Sequence, residues 1–388
     1  MSVRRLDLVR LRSLRTLEVV GRCRCLSTHS HSHSHDDGAH SQSHSHSLSA
    51  PEPPVSSPLN VPSKTSSDTK KAQFALSSAR EFCDSLLDSS PPLFSPQLVL
   101  PFIPAPSRDA YTALAALSTT LRRSMHPPPT SSSLISHASG TSAATSRLRL
   151  QFWRQTLQDL LAGKPSPSEP VAVLLSDVVR DHGFTRGFFT RMVDARISRV
   201  GDPPFPDIPA IADFGENAHA SMLYLMGESM PDGRAMPLEH VSSHIGRAMG
   251  VAEILSEFPT TLERRGRVLL PLDVMMRQGL REEDIIRRLD LQDPEIKRKL
   301  ADAVFEVATH ANDQLITART MLEEVIERQG RRESIDDAMF APILTAIPVR
   351  TWLEKLEKVD FDLFSPKLKI KSWNLPLKMY WAYRTRKI

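Results

Sequence analysis

Two glutamates one helical turn apart, Glu253 and Glu257, have the type and spacing that metal chemistry needs. Side chains four positions apart lie on the same face of a helix, so two carboxylates can present oxygen ligands to a Mg²⁺ ion. The same spacing is also typical of a solvated helix face, on which acidic side chains bind nothing but water. Both interpretations stay open at the level of the sequence.

Histidines form the other group of side chains that can bind a metal. Seven of them alternate largely with serine between positions 29 and 46, which is typical of a disordered linker or, alternatively, of a metal-binding tail. His219, His244 and His310 fall within helical patterns, where a lone histidine usually packs or caps. Two of the three cysteines lie in the first 26 residues, so neither a disulfide framework nor a zinc site is predicted. No cofactor is predicted.

Helices are the elements that must position these side chains. Apolar residues at helical spacing predict an all-α body over residues 71–366, without a glycine-rich phosphate loop or an internal repeat. Pro259 is expected to end its helix early, and the Pro/Ser/Thr-rich segment 126–146 is predicted to be a low-complexity surface insert. The predicted helices lie at about 72–88, 107–125, 147–163, 169–182, 184–198, 207–229, 237–256, 271–277, 281–289, 293–329, 334–346 and 349–358.

The first 26 residues have the pattern of a mitochondrial transit peptide. A predicted helix over 3–20 places an apolar stripe opposite arginines, and the segment carries seven arginines against two acids. A chance basic helix or a surface-binding helix is the alternative. Because this segment sums to +5 and the whole chain to +4, the rest carries −1, which argues against a nucleic-acid partner. Residues 27–70, rich in Ser, His and Pro, are predicted to be a disordered linker.

The segment 367–388 mixes lysines and arginines with tryptophans and tyrosines. This composition suits an anionic membrane surface, and it suits equally well a tail that packs on the core with its lysines in water. No apolar run reaches about 18 residues, so no transmembrane helix is predicted. Together with the transit peptide, these features predict a protein of the mitochondrial matrix, either soluble or bound peripherally to the inner membrane.

Three stretches of the chain resemble the squalene/phytoene synthases, and their order and spacing carry the resemblance. Residues 108–117 (RDAYTALAAL) resemble the helix leading into that family's first acidic motif, and residues 148–157 (LRLQFWRQTL) its tryptophan helix. Residues 244–250 (HIGRAMG), continuing to 265–273 (RGRVLLPLD), resemble the second acidic helix and the loop after it. The resemblance covers roughly residues 75–365 and implies a single large helical domain of isoprenoid-synthase type.

The resemblance also implies a diphosphate site that has lost its acids. Enzymes of this family condense two prenyl diphosphates, and facing aspartate clusters hold the Mg²⁺ ions that neutralise the leaving group. Carried onto this sequence, the acids of the first motif fall at Arg122 and His126. Those of the second fall at Glu257, Thr260 and Thr261, of which one is still acidic.

A guanidinium in place of a metal ligand is a reversal of charge. At 5 Å and an effective dielectric constant of about 20, two like unit charges repel by roughly 3 kcal/mol, and a divalent ion doubles that value. Glu253, one turn before Glu257, leaves a residual acidic pair on the helix. The resemblance therefore implies a non-catalytic protein without a metal, although the residual acids leave a weak prenyltransferase as the alternative.

One branch of this family combines a transit peptide, lost acids and a basic aromatic C-terminus, and it takes part in the assembly of respiratory complex I. Residues 243–250 and the segment 359–366 (VDFDLFSP) are similar to that branch. The resemblance implies complex I subunits or assembly intermediates as partners, a peripheral contact with inner-membrane lipid on the matrix side, and no nucleic acid. An isoprenoid- or lipid-binding protein of the inner membrane is the other alternative.

Overall fold

The computed structural model of the chain describes residues 66–91, 93, 96–125, 139–165, 167–229, 238–287, 293–328, 330 and 335–388. The predicted transit peptide, the predicted linker as far as residue 65, His126 and the first part of the predicted insert lie outside the described residues. Every structural statement below concerns the described part of the chain.

The described chain is built from α-helices joined by short connections and 3₁₀ turns, and it contains no strand. This confirms the predicted all-α fold. A π-helical turn, Glu216–Ala220, joins the helix Ile208–Gly215 to the helix Ser221–Glu228. The helices are α1 (Ser66–Asp88), α2 (Arg108–Met125), α3 (Ser139–Leu161), α4 (Pro170–Asp181), α5 (Arg186–Ser198), α6 (Ile208–Gly215), α7 (Ser221–Glu228), α8 (Glu239–Arg265), α9 (Leu272–Arg277), α10 (Glu282–Arg287), α11 (Pro294–Arg328), α12 (Asp337–Ile343), α13 (Ala346–Lys358) and α14 (Leu375–Thr385).

Local sequence signals explain where several of these helices begin and end. The carboxylate of Glu169 accepts the backbone N–H of Ala172 at 2.8 Å at the start of α4. Asp207 does the same for Ala210 at 2.8 Å at the start of α6. Each carboxylate satisfies one of the N–H groups that a first helical turn leaves unpaired. Helix α8 ends at Gly266, whose φ of 59° is the left-handed conformation that glycine adopts without strain.

Helix α8 is the centre of the fold, with α11 packed along it and α6 and the π turn crossing it. The crossing with α6 is unusually close. A Cβ atom added at Gly250 would lie 2.4 Å from the Cα atom of Gly215, and one added at Gly246 would lie 2.5 Å from the Cβ atom of Ala220. Glycine at these positions therefore lets the π turn approach α8 just before Glu253, which sets the geometry of the candidate site.

The structure corrects several predicted boundaries. Helix α8 continues through Pro259 to Arg265, because Phe258 and Leu262 on either side are buried and hold this last stretch against the core. Helix α3 begins at Ser139, so residues 139–146 of the predicted insert are helical. Helix α1 begins at Ser66, inside the predicted linker.

The segment 367–388 contains a helix, α14, that the sequence patterns did not predict. Its side chains Leu375, Met379 and Ala382 are buried against the rest of the protein. Of the helices described here, none has the length and apolar character needed to cross a membrane.

Candidate functional site

Helices α2, α5 and α8 and the π turn bring five ionisable side chains together inside the protein. We call this group, formed by Arg122, Arg196, His219, Glu253 and Glu257, the buried charge cluster. Each of the two acids has its own guanidinium partner: Arg196 pairs with Glu253 and Arg122 with Glu257. Ionised together, the two arginines and two glutamates compensate one another.

The pair of Arg196 and Glu253 lies at the centre of the cluster. Both side chains are 2% exposed, and the guanidinium meets the carboxylate through two hydrogen bonds, the second running from Nη2 to Oε2 over 3.1 Å. The guanidinium carbon of Arg196 also lies 5.0 Å from the centre of the Phe214 ring. Burial alone raises the pKa of Glu253, but the charge of Arg196 and the hydrogen bonds to the carboxylate outweigh it and hold the pKa below its ordinary range.

His219 completes the environment of the same carboxylate. Its Nε2 atom lies 2.6 Å from Oε2 of Glu253. Burial lowers the pKa of His219 in spite of the nearby carboxylate, and the charges of Arg196 and Arg122 lower it further. The imidazole is therefore neutral at pH 7, and with its proton on Nε2 it donates to Glu253.

Glu257 is held more loosely than Glu253. Nη1 of Arg122 lies 3.4 Å from its Oε1, and the two side chains are 15% and 24% exposed. Burial and then the negative charge of Glu253 raise the pKa of Glu257 to about 7, while Arg122 opposes that rise. One carboxylate of the pair is thus firmly ionised, whereas the other titrates near neutrality.

The structure brings together only some of the residues predicted from the sequence. Arg122 and Glu257, which were assigned to different motifs, face each other across α2 and α8. Thr261 is buried, and Thr260 is exposed on the same helix. Among the described residues, no group of three or more His, Cys, Asp or Glu side chains is arranged to hold a metal ion.

Arg196 was missed in the sequence, although a signal for it existed. It continues the buried stripe of α5 formed by Phe189, Met192 and Val193. An arginine at the helical spacing of an apolar stripe must find a buried counter-ion, because an isolated ion in the interior is too costly. Helical periodicity therefore marks Arg196 as buried, but it does not identify Glu253 as the partner.

Glu216, the first residue of the π turn, also has hydrogen-bonding partners. It accepts hydrogen bonds from the hydroxyls of Tyr224 and Ser243 and from Nε of Arg247. Burial raises the pKa of Glu216, but the three hydrogen bonds outweigh it and bring the pKa below its ordinary range. Asp213, on α6, is exposed to solvent.

The cavity beside the buried charge cluster is small. It has a volume of about 50 Å³ and is bordered by Tyr111, Met222 and Leu223 together with Arg122 and His219. Such a volume holds a few water molecules, whereas pockets for small organic ligands measure about 300–1,000 Å³. In this conformation the cavity does not accommodate an isoprenoid chain.

Comparison with known proteins identifies the family of this chain. The family model for squalene/phytoene synthase matches residues 95–374. A bovine protein named NADH dehydrogenase (ubiquinone) complex I, assembly factor 6, is 34% identical over 233 residues, which cover 60% of this chain and 64% of that protein. The human protein of the same name is 31% identical over the same extent. The match thus spans just under two thirds of the length of these curated relatives.

Solved structures show the same fold at low sequence identity. A dehydrosqualene synthase superposes with a TM-score of 0.59 at 17% identity, covering 82% of this chain and 98% of the enzyme. The squalene synthase HpnC from Alicyclobacillus acidocaldarius superposes with a TM-score of 0.54 at 15% identity, covering 75% and 99%. At these identities, the likeness establishes the helical architecture alone.

Proposed function

Because the chain belongs to the squalene/phytoene synthase family, we propose that it keeps the helical body of those enzymes and acts without catalysis in the assembly of mitochondrial respiratory complex I. The relatives named complex I assembly factor 6 support the role in assembly. The state of the inherited diphosphate site supports the absence of catalysis.

The observation that carries the non-catalytic half of the proposal is the pairing of both glutamates of α8 with guanidinium groups of the same chain. A synthase of this family needs free carboxylates that bind Mg²⁺ and thereby neutralise the departing diphosphate. Here Arg122, at a position where the family resemblance implies an acid, supplies positive charge to Glu257 itself. A metal ion at Glu257 would have to displace that guanidinium and then remain beside it.

The two rival functions have weaker support. A residual prenyltransferase would have to draw its ligands from Glu253, Glu257, Glu216 and Asp213. The three glutamates are already bound by cationic or hydrogen-bonding partners, and Asp213 is exposed to solvent and is not part of the buried charge cluster. A carrier of isoprenoids would need a large cavity, and the one beside the cluster measures about 50 Å³.

The proposed location is the matrix side of the mitochondrial inner membrane, with complex I subunits or assembly intermediates as partners. The arginine-rich segment 1–26 supports import into mitochondria. The relatives' names support the partner, since they name complex I and its assembly. Attachment is proposed to be peripheral.

The decisive experiment deletes the gene in its host and restores it as wild type or as Glu257→Gln. We expect deletion to lower complex I abundance on native gels and NADH:ubiquinone activity, with the other respiratory complexes unchanged. Both the wild type and the variant should restore complex I, because the variant removes a metal ligand that the proposal holds to be unused. Normal complex I in the deletion strain would refute the assembly role.

A separate assay addresses catalysis. The protein purified from mitochondria is incubated with farnesyl or geranylgeranyl diphosphate and Mg²⁺, with an active squalene synthase as the positive control. We expect no release of diphosphate. Release that disappears in the Glu257→Gln variant would show that the protein is an enzyme and would overturn the non-catalytic half of the proposal alone.

A further inference from the structure

Helix α14 presents two opposite faces of different character. At about 100° per residue, the buried side chains Leu375, Met379 and Ala382 lie on one side. The opposite side exposes large apolar groups, namely Leu377 (54% exposed), Tyr380 (49%) and Trp381 (58%). Just before the helix, Ile370 (64%) and Trp373 (89%) are exposed as well.

A cationic cavity lies beside this exposed face. It has a volume of about 310 Å³ and lies between α13 and α14, where Arg350, Lys378 and Lys387 border it together with Leu377 and Trp381. Three cations in its lining make it chemically different from the small cavity in the core. Its size suits a polar headgroup of a few heavy atoms.

The cations of this region outnumber the acids that neutralise them. Arg350 and Lys378 share one carboxylate, that of Glu354, at 3.4 and 2.8 Å. Lys387 and Lys371 are exposed, and the sequence after Asp362 contains no acidic side chain. The surface around α14 is therefore positively charged.

Lys355 on α13 connects this surface to the segment before α14. Burial, followed by the positive charges of Lys358 and Lys378, lowers its pKa. The side chain of Lys355 donates to the backbone carbonyl of Ile370, and this bond holds the connection before α14 against α13. The exposed aromatics on that connection and on the helix are thereby fixed on a positively charged support.

We infer that this surface, formed by Ile370, Trp373, Leu377, Tyr380 and Trp381 with the cationic cavity beside them, docks the protein on an anionic phospholipid membrane, one headgroup phosphate entering the cavity. Aromatic side chains prefer the boundary between headgroups and acyl chains, and lysines beside them attract anionic lipid. The inference rests on the proposed position at the inner membrane and names the surface that makes the contact.

The charge pattern favours a membrane over a protein as the occupant. Exposed tryptophan and tyrosine beside uncompensated lysine suit a surface that is acidic over its whole area and apolar just below it. A membrane also accepts aromatic side chains without a complementary shape. We therefore commit to anionic lipid, and docking on an acidic protein is an outcome that the test can return.

The test measures co-sedimentation of the full protein with vesicles of phosphatidylcholine alone or of phosphatidylcholine with cardiolipin. We expect binding to the cardiolipin vesicles only, weakening as salt is raised. Lys371→Gln with Lys387→Gln should reduce partitioning about 30-fold, because each juxtamembrane lysine contributes about 1 kcal/mol. Trp373→Ser with Trp381→Ser should abolish the blue shift of tryptophan fluorescence on binding.

Matched controls separate this surface from general charge and apolarity. Phe74→Ser removes an equally exposed aromatic from α1 (76% exposed), and Arg328→Gln removes an exposed cation from α11; both should bind vesicles as the wild type does. Equal binding to both vesicle types, or equal loss in the control variants, would refute the inference.

Complex I levels in cells carrying the same variants separate this inference from the proposed function. If the α14 variants lower complex I while vesicle binding stays unchanged, the surface docks a protein and the lipid inference is wrong. If vesicle binding fails while deletion of the gene still lowers complex I, the inference falls and the proposed function stands.

Discussion

Replacing Glu253 by glutamine tests how strongly the buried charge cluster stabilises the fold. The substitution keeps the size of the side chain but leaves the guanidinium of Arg196, which is 2% exposed, without a counter-ion. Breaking one partner of a buried pair costs about 3–5 kcal/mol, since the other charge stays buried and uncompensated. The ring of Phe214, 5.0 Å from the guanidinium carbon, still interacts with the cation and accounts for about 1 kcal/mol.

We therefore expect Glu253→Gln to lower the free energy of unfolding by about 3 kcal/mol, the lower end of that range. Urea unfolding followed by far-ultraviolet circular dichroism measures it as a decrease in the midpoint at unchanged slope. The matched control is Glu324→Gln, which breaks the exposed pair with Arg328 and should stay within about 0.5 kcal/mol of the wild type.

The double variant Arg196→Met, Glu253→Gln identifies the cause. It removes the uncompensated charge, so it should recover about 2 kcal/mol relative to Glu253→Gln alone. Two results would show that the two charges do not depend on each other. One is that Glu253→Gln is as stable as its exposed control. The other is that the double variant loses as much unfolding free energy as Arg196→Met and Glu253→Gln lose when added together. The reasoning about the cluster would then be refuted.

Three further predictions concern the same region. Burial raises the pKa of Glu257 from its ordinary 4.5 to about 7. The stabilisation that comes from this shift is therefore complete below pH 4.5 and is lost as pH rises to about 7. Urea midpoints of the wild type should fall between about pH 5 and 8, and those of Glu257→Gln should not show this fall. The Cβ atom of Gly250→Ala would lie 2.4 Å from the Cα of Gly215, so this variant should lose about 1–3 kcal/mol of unfolding free energy, measured by thermal denaturation. Its control, Gly183→Ala, adds a Cβ with no atom within 4 Å and should lose less than about 0.5 kcal/mol. The melting temperature should be equal in Mg²⁺ and in EDTA, and a rise with Mg²⁺ would reveal a metal site.

The helices of the core were predictable because each carries a strong periodic signal over many residues. The predicted helix over 107–125 is observed as Arg108–Met125, and that over 293–329 as Pro294–Arg328. Both have long apolar stripes and a boundary residue at their ends. In such segments local propensity and burial favour the same structure.

The features that could not be predicted depend on contacts distant in sequence. Pro259 weakens a helix locally, yet α8 continues because the core holds Phe258 and Leu262. Helix α14 is short, and the exposed side chains Leu377, Tyr380 and Trp381 lie among its buried residues and hide the helical period of burial. Tertiary packing decided both outcomes.

The candidate site was predictable in its residue types but not in its pairing. The spacing of Glu253 and Glu257 correctly placed both on one helix, and the family resemblance identified Arg122 as a cation in an acidic position. Which cation meets which carboxylate depends on the approach of α2, α5 and α8. The periodicity of α5 marks Arg196 as buried, but no local signal links it to Glu253, which lies 57 positions away.

The pairing of the two acids with arginines has a thermodynamic consequence. In a site whose carboxylates face each other without a cation, mutual repulsion would favour the state that binds Mg²⁺, and stability would rise with the metal concentration. Arg122 and Arg196 are covalent parts of the chain, so their positive charges are present at any metal concentration. Under the proposed function, these permanent charges stabilise the helical body without a bound metal ion, as a docking surface that is always available requires.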